Sequence, residues 1–209
     1  MTILSVNKTR ELSLGGRSAP LLFFMGADCA HFLFQVIFMK KRPRYLAQAA
    51  IIAALYVVLT HFQNILLPGS ATWAIQLRLS EMLCVLAFFT PAAVAGLPIG
   101  CMLFNLTFAA ALPLDFLVGT LATYLAAQTM WWLRKATVLG LPLWGLLMPA
   151  LFNGVLVGWE LTVYVGNPFS MNAVFVAIGE AAVLLTFGTV LYYAMRKRHL
   201  DTRLFGLGQ

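Results

Sequence analysis

From Tyr45 to Met195 the chain is a series of apolar stretches, most of them close to the length at which a helix crosses a bilayer, about 20 residues. Charged residues make up only 10% of its 209 residues, whereas a soluble domain has about 25%. So few charges cannot cover a water-exposed surface. We therefore predict an all-α polytopic membrane protein, with no soluble domain folded beside it.

Proline, glycine and asparagine residues divide this region into six predicted spans, which we expect to form a six-helix bundle. The second span is short, and Thr90-Pro91 is its only separation from the third. The six-helix core is expected at 39–199, with a cytoplasmic tail at 200–209. The spans run approximately over 45–67, 78–89, 92–108, 113–133, 142–165 and 171–195.

Lysine and arginine residues predict the orientation. Basic clusters occur at 40–44, 134–135 and 196–198, and six crossings place all three on one side, which the positive-inside rule identifies as the cytoplasm. Both ends of the core are then cytoplasmic in a multi-pass cell-membrane protein. These basic clusters also account for the net charge of +7, so we do not expect a nucleic-acid partner.

Residues 1–38 are predicted to be an N-terminal extension outside this core. The apolar stretch 21–38 could form a seventh helix, but it contains Asp28 and His31, and crossing would place three basic residues outside. A signal peptide fits poorly because the apolar run leads into Lys40-Lys41-Arg42 rather than a small-residue cleavage site. We favour a translation start at Met39.

Ionisable residues within the spans are few, and the predicted topology places these residues, together with Asn105, in the outer half. Such residues are costly in lipid and usually face a cavity or one another. We therefore predict a cavity that is open to the outside and binds a small polar molecule. Its candidate residues are Arg78, Glu81, Asn105, Asp115, Asn153, Glu160 and Glu180.

Several of these residues also have structural interpretations. Arg78 and Glu81 are three residues apart and could form an ion pair, and Asp115 could be a helix N-cap. Spans five and six contain no basic residue to neutralise Glu160 and Glu180, which favours a ligand there. The aromatic residues near the outer boundary could line the cavity or anchor the membrane interface: Trp73, Phe108, Trp159 and Tyr164.

Small residues suggest close contacts between helices. Ala49, Ala50, Ala53 and Ala54 form an alanine stripe on the first span. A stripe of this kind lets helices approach closely, either to dock another membrane subunit or within the chain. The pairs Gly96/Gly100 and Gly154/Gly158 are predicted to serve internal packing.

No sequence pattern indicates catalysis. The chain has no glycine-rich phosphate-binding loop and no metal-ligand spacing, so we expect no ATP hydrolysis, metal or cofactor of its own. We also find no nucleophile–base arrangement. The three cysteines lie in apolar segments and are interpreted as packing residues.

Ordered motifs surround the candidate residues. They are Ile75–Glu81, Phe88–Ala93, Gly100-Cys101 with Asn105-Leu106, Asp115 with Gly119–Thr123, Asn153 with Gly158–Leu161, and Gly179–Ala181. Together these motifs resemble the queuosine-precursor transporter family. Two stretches depart from the family pattern, Thr107-Phe108-Ala109 and Trp73-Ala74, and both lie near the predicted mouth of the cavity.

The resemblance implies the substrate-binding S component of an energy-coupling factor (ECF) transporter. Its ligands would be 7-deazaguanine bases such as queuine or its precursors, and its partners a transmembrane coupling subunit and two cytoplasmic ATPases. Gln76 and Trp159 would join the seven candidate residues above at the ligand. The alternatives are an S component for another vitamin, a proton-coupled secondary transporter using Glu160 or Glu180, and a purely structural membrane subunit.

Overall fold

A computed structural model describes residues 43–68, 77–108, 111–138 and 140–198. Their regular structure is helical apart from one isolated bridge between Val138 and Leu141, which confirms the all-α prediction. The elements are α1 (Pro43–Leu66), a 3₁₀ helix (Leu79–Phe88), α2 (Ala92–Thr107), α3 (Asp115–Leu133), α4 (Leu143–Leu146), α5 (Met148–Val165), α6 (Phe169–Val183), a π-helical turn (Leu184–Gly188) and α7 (Thr189–Lys197).

Because α4 continues into α5, and α6 continues through the π-helical turn into α7, the described residues form six helical segments. Each begins and ends within two residues of a predicted span. The terminal segments 1–38 and 200–209 lie outside the described residues, so the predictions made for them stay predictions.

The distribution of polar and apolar side chains is that of a membrane protein. Ile65, Val190 and Trp132 are 76%, 69% and 68% exposed, whereas Glu81 and Glu160 are fully buried. Within the described residues, three helices are long and apolar enough to cross a bilayer: Pro43–Leu66, Leu143–Val165 and Phe169–Lys197. Six crossings, and the cytoplasmic placement of both ends of the core, remain predictions.

The second predicted span is a 3₁₀ helix rather than an α-helix. Ten residues rise about 20 Å as a 3₁₀ helix, against about 15 Å as an α-helix, so the short segment reaches further. Gln63 of α1 holds its beginning: the Gln63 amide nitrogen donates to the Leu77 carbonyl, and the Leu79 N–H donates to Gln63 Oε1 at 2.6 Å.

The contact between α1 and α2 is close enough to require glycine. A Cβ atom added at Gly96 would lie 2.6 Å from the Ala49 carbonyl oxygen, and one at Gly100 would lie 2.8 Å from that of Ala53. Internal packing therefore accounts for Ala49 and Ala53, which are buried. The other two members of the alanine stripe, Ala50 and Ala54, are exposed, so the docking prediction now rests on them.

Helices α5 and α6 meet in a second close contact. A Cβ at Gly158 would lie 2.7 Å from Ala173 Cα, and one at Gly154 would lie 3.0 Å from Ala177 Cβ. Both glycine pairs therefore serve internal packing, as predicted. The α5–α6 contact also sets the register of the two antiparallel helices, because position 158 faces position 173.

Candidate functional site

The seven ionisable and amide residues named from the sequence are all buried, none being more than 6% exposed. They lie at the start of the 3₁₀ helix and on α2, α3, α5 and α6. Electrostatic interactions connect the five ionisable residues: Arg78 interacts with both Glu160 and Glu180, Asp115 with Glu160, and Glu81 with Glu180. The structure thus brings these five residues, which are distant in sequence, into one polar cluster.

Arg78 forms a buried ion pair with Asp115, its Nη2 lying 3.1 Å from Asp115 Oδ2. The salt bridge observed for Arg78 is therefore with Asp115, whereas the structural interpretation had paired it with Glu81. The N-cap interpretation of Asp115 is also wrong, because Leu114 occupies that position and Asp115 is the first residue of α3. Asn105 Nδ2 donates to the Asp115 carbonyl oxygen at 2.9 Å and ties α2 to the pair.

Glu81 is bonded by two donors from the protein. The Tyr56 hydroxyl donates to Glu81 Oε1 at 2.7 Å, and the Cys84 thiol donates to Glu81 Oε2 at 3.0 Å. Residues three apart share a face in a 3₁₀ helix, which places Cys84 beside Glu81. These bonds hold the Glu81 side chain in place, so we call Glu81 a framework residue, meaning one whose carboxyl group is bonded by the protein itself.

Tyr56 was not identified from the sequence as a residue of the site, although the spacing of residues on α1 predicts that it is buried. It is only 1% exposed and lies on the buried face of α1. Three- and four-residue spacing predicts this face, and its other members are Ala49, Ile52, Ala53, Thr60 and Gln63. Tyr56 and Gln63 hold the 3₁₀ helix, while the alanines of this face contact α2.

Glu160, Glu180 and Asn153 differ from Glu81 in having no hydrogen-bond partner among the described residues. Both carboxyl oxygens of each glutamate are affected, as are both side-chain amide atoms of Asn153. Asn105 Oδ1 and Ser80 Oγ are also buried without a partner. Most buried polar atoms in proteins are hydrogen-bonded, so this group of atoms indicates a ligand site that is rich in acceptors.

The register of α5 and α6 arranges these residues at two levels. Since position 158 faces 173 in antiparallel helices, Glu160 lies level with position 171 and Glu180 with position 151. The two glutamates are then nine residues apart along α5, roughly 13 Å. Asn153 lies near the level of Glu180. The register therefore places Glu160 and Glu180 at different levels along the pair of helices.

Not every candidate joins this cluster. Trp159 is 52% exposed and Tyr164 is 41% exposed, which fits anchoring at the membrane interface better than lining a buried site. Gln76 and Trp73 lie outside the described residues, so their roles stay predictions. Among the described residues, no three histidine, cysteine or acidic side chains are grouped to hold a metal ion.

Comparison with known proteins identifies the family. The family model described as QueT transporter matches residues 46–197, which include the whole polar cluster. The chain belongs to the QueT transporter family. This confirms the resemblance seen in the motifs around the cluster.

A curated relative supports the same family. The queuosine precursor transporter QueT of Lactococcus lactis subsp. cremoris (strain MG1363) is 40% identical over 89 residues, which are 41% of this chain and 48% of the relative. The chain thus spans about half the length of that relative. No solved structure matches the chain.

Proposed function

We propose that this protein is the membrane-embedded substrate-binding subunit of an uptake transporter for queuosine precursors. The observation that carries the proposal is the buried, unpaired state of Glu160 and Glu180 in a chain of the QueT transporter family. Intramembrane carboxyl groups without a protein partner are costly, and they commonly mark a substrate pathway. A queuosine precursor supplies the donors that these oxygens require.

The chemistry of a 7-deazaguanine base fits the cluster. Its guanine-type edge presents adjacent N–H donors, which one carboxylate can accept in a bidentate manner. Glu160 and Glu180 each offer both oxygens for this role, and Asn153 adds an amide oxygen and a donor. Arg78, Glu81, Asp115 and Asn105 position these groups through the bonds described above.

The energy for uptake would come from partner subunits of the ECF type. The chain has no phosphate-binding loop of its own, so two cytoplasmic ATPases and a transmembrane coupling subunit would supply it. Ala50 and Ala54 are the exposed half of the alanine stripe. Small exposed residues on an apolar helix permit close contact with another membrane helix, and we assign the coupling subunit to this surface.

A proton-coupled secondary transporter is the second candidate, because Glu160 and Glu180 are buried where a proton carrier would be. The two mechanisms predict different partner requirements. Proteoliposomes containing this chain alone should bind ligand without accumulating it. Accumulation driven by a proton gradient alone would refute the ECF mechanism and support the secondary transporter.

Direct binding to the purified protein tests the proposed ligand class. We expect deazaguanine bases to bind in preference to unrelated vitamins. Glu160→Gln and Glu180→Gln should each weaken binding by about 2–4 kcal/mol, or roughly 30- to 1000-fold, because ligand donors lose their acceptor. Thr186→Val is the control, since its exposed hydroxyl bonds only the backbone of its own helix. Wild-type affinity in both glutamine variants would show that these carboxyl groups do not bind the base.

A further inference from the structure

A cavity lies beside the last turns of α7. Its volume is about 480 Å³, and it is lined by Gly140, Tyr193, Ala194, Arg196 and Lys197. None of these residues belongs to the polar cluster, so the cavity is a separate feature of the molecule. Cavities that bind small molecules measure about 300–1,000 Å³, and this one therefore has room for a lipid headgroup.

The turn before α4 holds the Arg196 side chain at the wall of the cavity. The turn is closed by two backbone hydrogen bonds between Val138 and Leu141, of 2.8 and 3.1 Å. Arg196 Nη1 donates to the Gly140 carbonyl oxygen at 3.3 Å and to the Tyr192 hydroxyl at 3.2 Å. Both bonds come from the same nitrogen, and a guanidinium has five N–H donors. Arg196 is thus fixed in position with further donors to offer a ligand.

The charge at this end of the molecule is positive and uncompensated by the described residues. Basic residues occupy 134–135, after α3, and 196–198, at the end of α7. The acidic residues in the described ranges all belong to the buried polar cluster. An anionic group is therefore attracted to the cavity. The positive-inside rule predicts that this end is cytoplasmic, where the membrane leaflet is rich in anionic lipids.

The exposed side of α7 next to the cavity is apolar. Val190 is 69% exposed and Tyr193 is 48% exposed. Residues three and four apart lie on one side of a helix, so Val190, Tyr193 and Lys197 form a row that changes from apolar to charged. A small soluble anion would contact only the charged end of this row. A phospholipid matches both ends, with its phosphate near Lys197 and an acyl chain along Val190.

We propose that this cavity binds an anionic phospholipid, with Arg196 and Lys197 bonding its phosphate and the exposed side of α7 contacting an acyl chain. Basic pockets on the cytoplasmic side of membrane proteins bind lipid headgroups through the same chemistry. The inference does not depend on the proposed function, because no residue of the polar cluster takes part. The bound lipid connects the end of α7 with the turn before α4.

Native mass spectrometry of the full chain, purified in detergent, tests the class of lipid. The probes are phosphatidylglycerol and phosphatidylcholine with identical acyl chains, which differ in net charge. We expect one phosphatidylglycerol per chain, bound at least about tenfold more tightly than phosphatidylcholine. Equal affinity for the two lipids would overturn the proposal. Displacement of the bound lipid by an equimolar amount of inorganic phosphate would also overturn it, because the cavity would then be a site for a free anion.

Two double variants with the same change in charge locate the lipid. Arg196→Gln with Lys197→Gln removes both charges from the cavity, and the preference for phosphatidylglycerol should fall below about threefold. Arg134→Gln with Lys135→Gln is the matched control, because neither residue lines the cavity, and it should keep the preference. An equal loss in both double variants would assign the attraction to the general charge of this end and overturn the proposal.

Ala194→Trp tests the cavity without changing any charge. Ala194 is exposed, so a larger side chain there fills the cavity while the packed interior of the protein stays unchanged. We expect phosphatidylglycerol to bind at least about tenfold more weakly to this variant, whose Tm without lipid should match that of the wild type. Wild-type affinity in Ala194→Trp would show that the lipid does not occupy the cavity.

Discussion

The paired and the unpaired carboxyl groups of this protein are buried to nearly the same extent but stand in different surroundings. Asp115, on α3, is bonded by Arg78, and Glu81, in the 3₁₀ helix, is bonded by Tyr56 and Cys84. Glu160 and Glu180, on α5 and α6, have no hydrogen-bond partner among the described residues. Burial alone therefore does not separate these two kinds of carboxyl group, whereas the supply of hydrogen-bond donors does.

The difference has a physical consequence for each region. Where the protein supplies the donors, removing one partner leaves a buried polar group unsatisfied and destabilises the fold. Where the protein supplies no donor, the buried carboxyl group destabilises the ligand-free protein and stabilises the complex once a ligand donates to it. Substitutions in the paired region should thus act on stability, and those in the unpaired region on binding.

The largest expected loss of stability comes from Arg78→Met. It leaves Asp115 as a buried carboxylate without its guanidinium, and breaking such a pair costs about 3–5 kcal/mol. Thermal unfolding in detergent should show a much lower Tm. The control is Arg134→Met, because Arg134 lies only partly buried over the Trp131 ring and should cost less than about 1 kcal/mol. Similar Tm values for the two variants would show that the Arg78–Asp115 ion pair does not stabilise the fold.

Glu81→Met and Glu180→Met compare the two regions directly. Glu81→Met leaves two buried donors, Tyr56 and Cys84, without their acceptor and should cost about 2–4 kcal/mol. Glu180→Met removes a buried carboxyl group that has no protein partner, so the ligand-free protein should be equally stable or more stable. The Tm of each variant without ligand provides the measurement. Equal destabilisation by both would contradict the distinction between paired and unpaired groups.

Gly158→Ala tests whether the α5–α6 contact sets the spacing of the two unpaired glutamates. The added Cβ would lie 2.7 Å and 2.9 Å from backbone atoms of Ala173, so the helices must separate, at a cost of about 1–3 kcal/mol. Ligand affinity should fall together with Tm. Val163→Ala, on the exposed side of the same helix, serves as the control. Unchanged affinity in a destabilised Gly158→Ala protein would show that the spacing is not set there.

The smallest effect on the folded chain is expected at the exposed half of the alanine stripe. Ala50→Leu or Ala54→Leu should change stability by less than about 0.5 kcal/mol and leave ligand binding intact while blocking uptake by the assembled transporter. Ala53→Leu is the contrasting variant, because Ala53 is buried against α2 and should lower Tm. Normal uptake by both exposed-site variants would exclude docking at this surface.

Much of the site could be predicted because polar residues are rare in the apolar stretches. All seven ionisable and amide candidates are buried. Trp159 was a weaker choice, because an aromatic residue near a membrane boundary has two interpretations, and its 52% exposure separates it from the buried group. Tyr56 was missed because one tyrosine in an apolar helix is not unusual by itself.

The sequence by itself determined the class of the protein, the number and bounds of its helical segments, and the set of polar residues to consider. Span length and the cost of polar groups in lipid act locally, so a single stretch of sequence reveals them. Tertiary structure decided that Arg78 pairs with Asp115 and that Glu81 accepts hydrogen bonds from Tyr56 and Cys84. It also decided that Glu160 and Glu180 have no hydrogen-bond partner in the part of the chain that the structure describes. Hydrogen bonds act over about 3 Å between residues that are distant in sequence, so only the packing of the helices could determine which groups are paired.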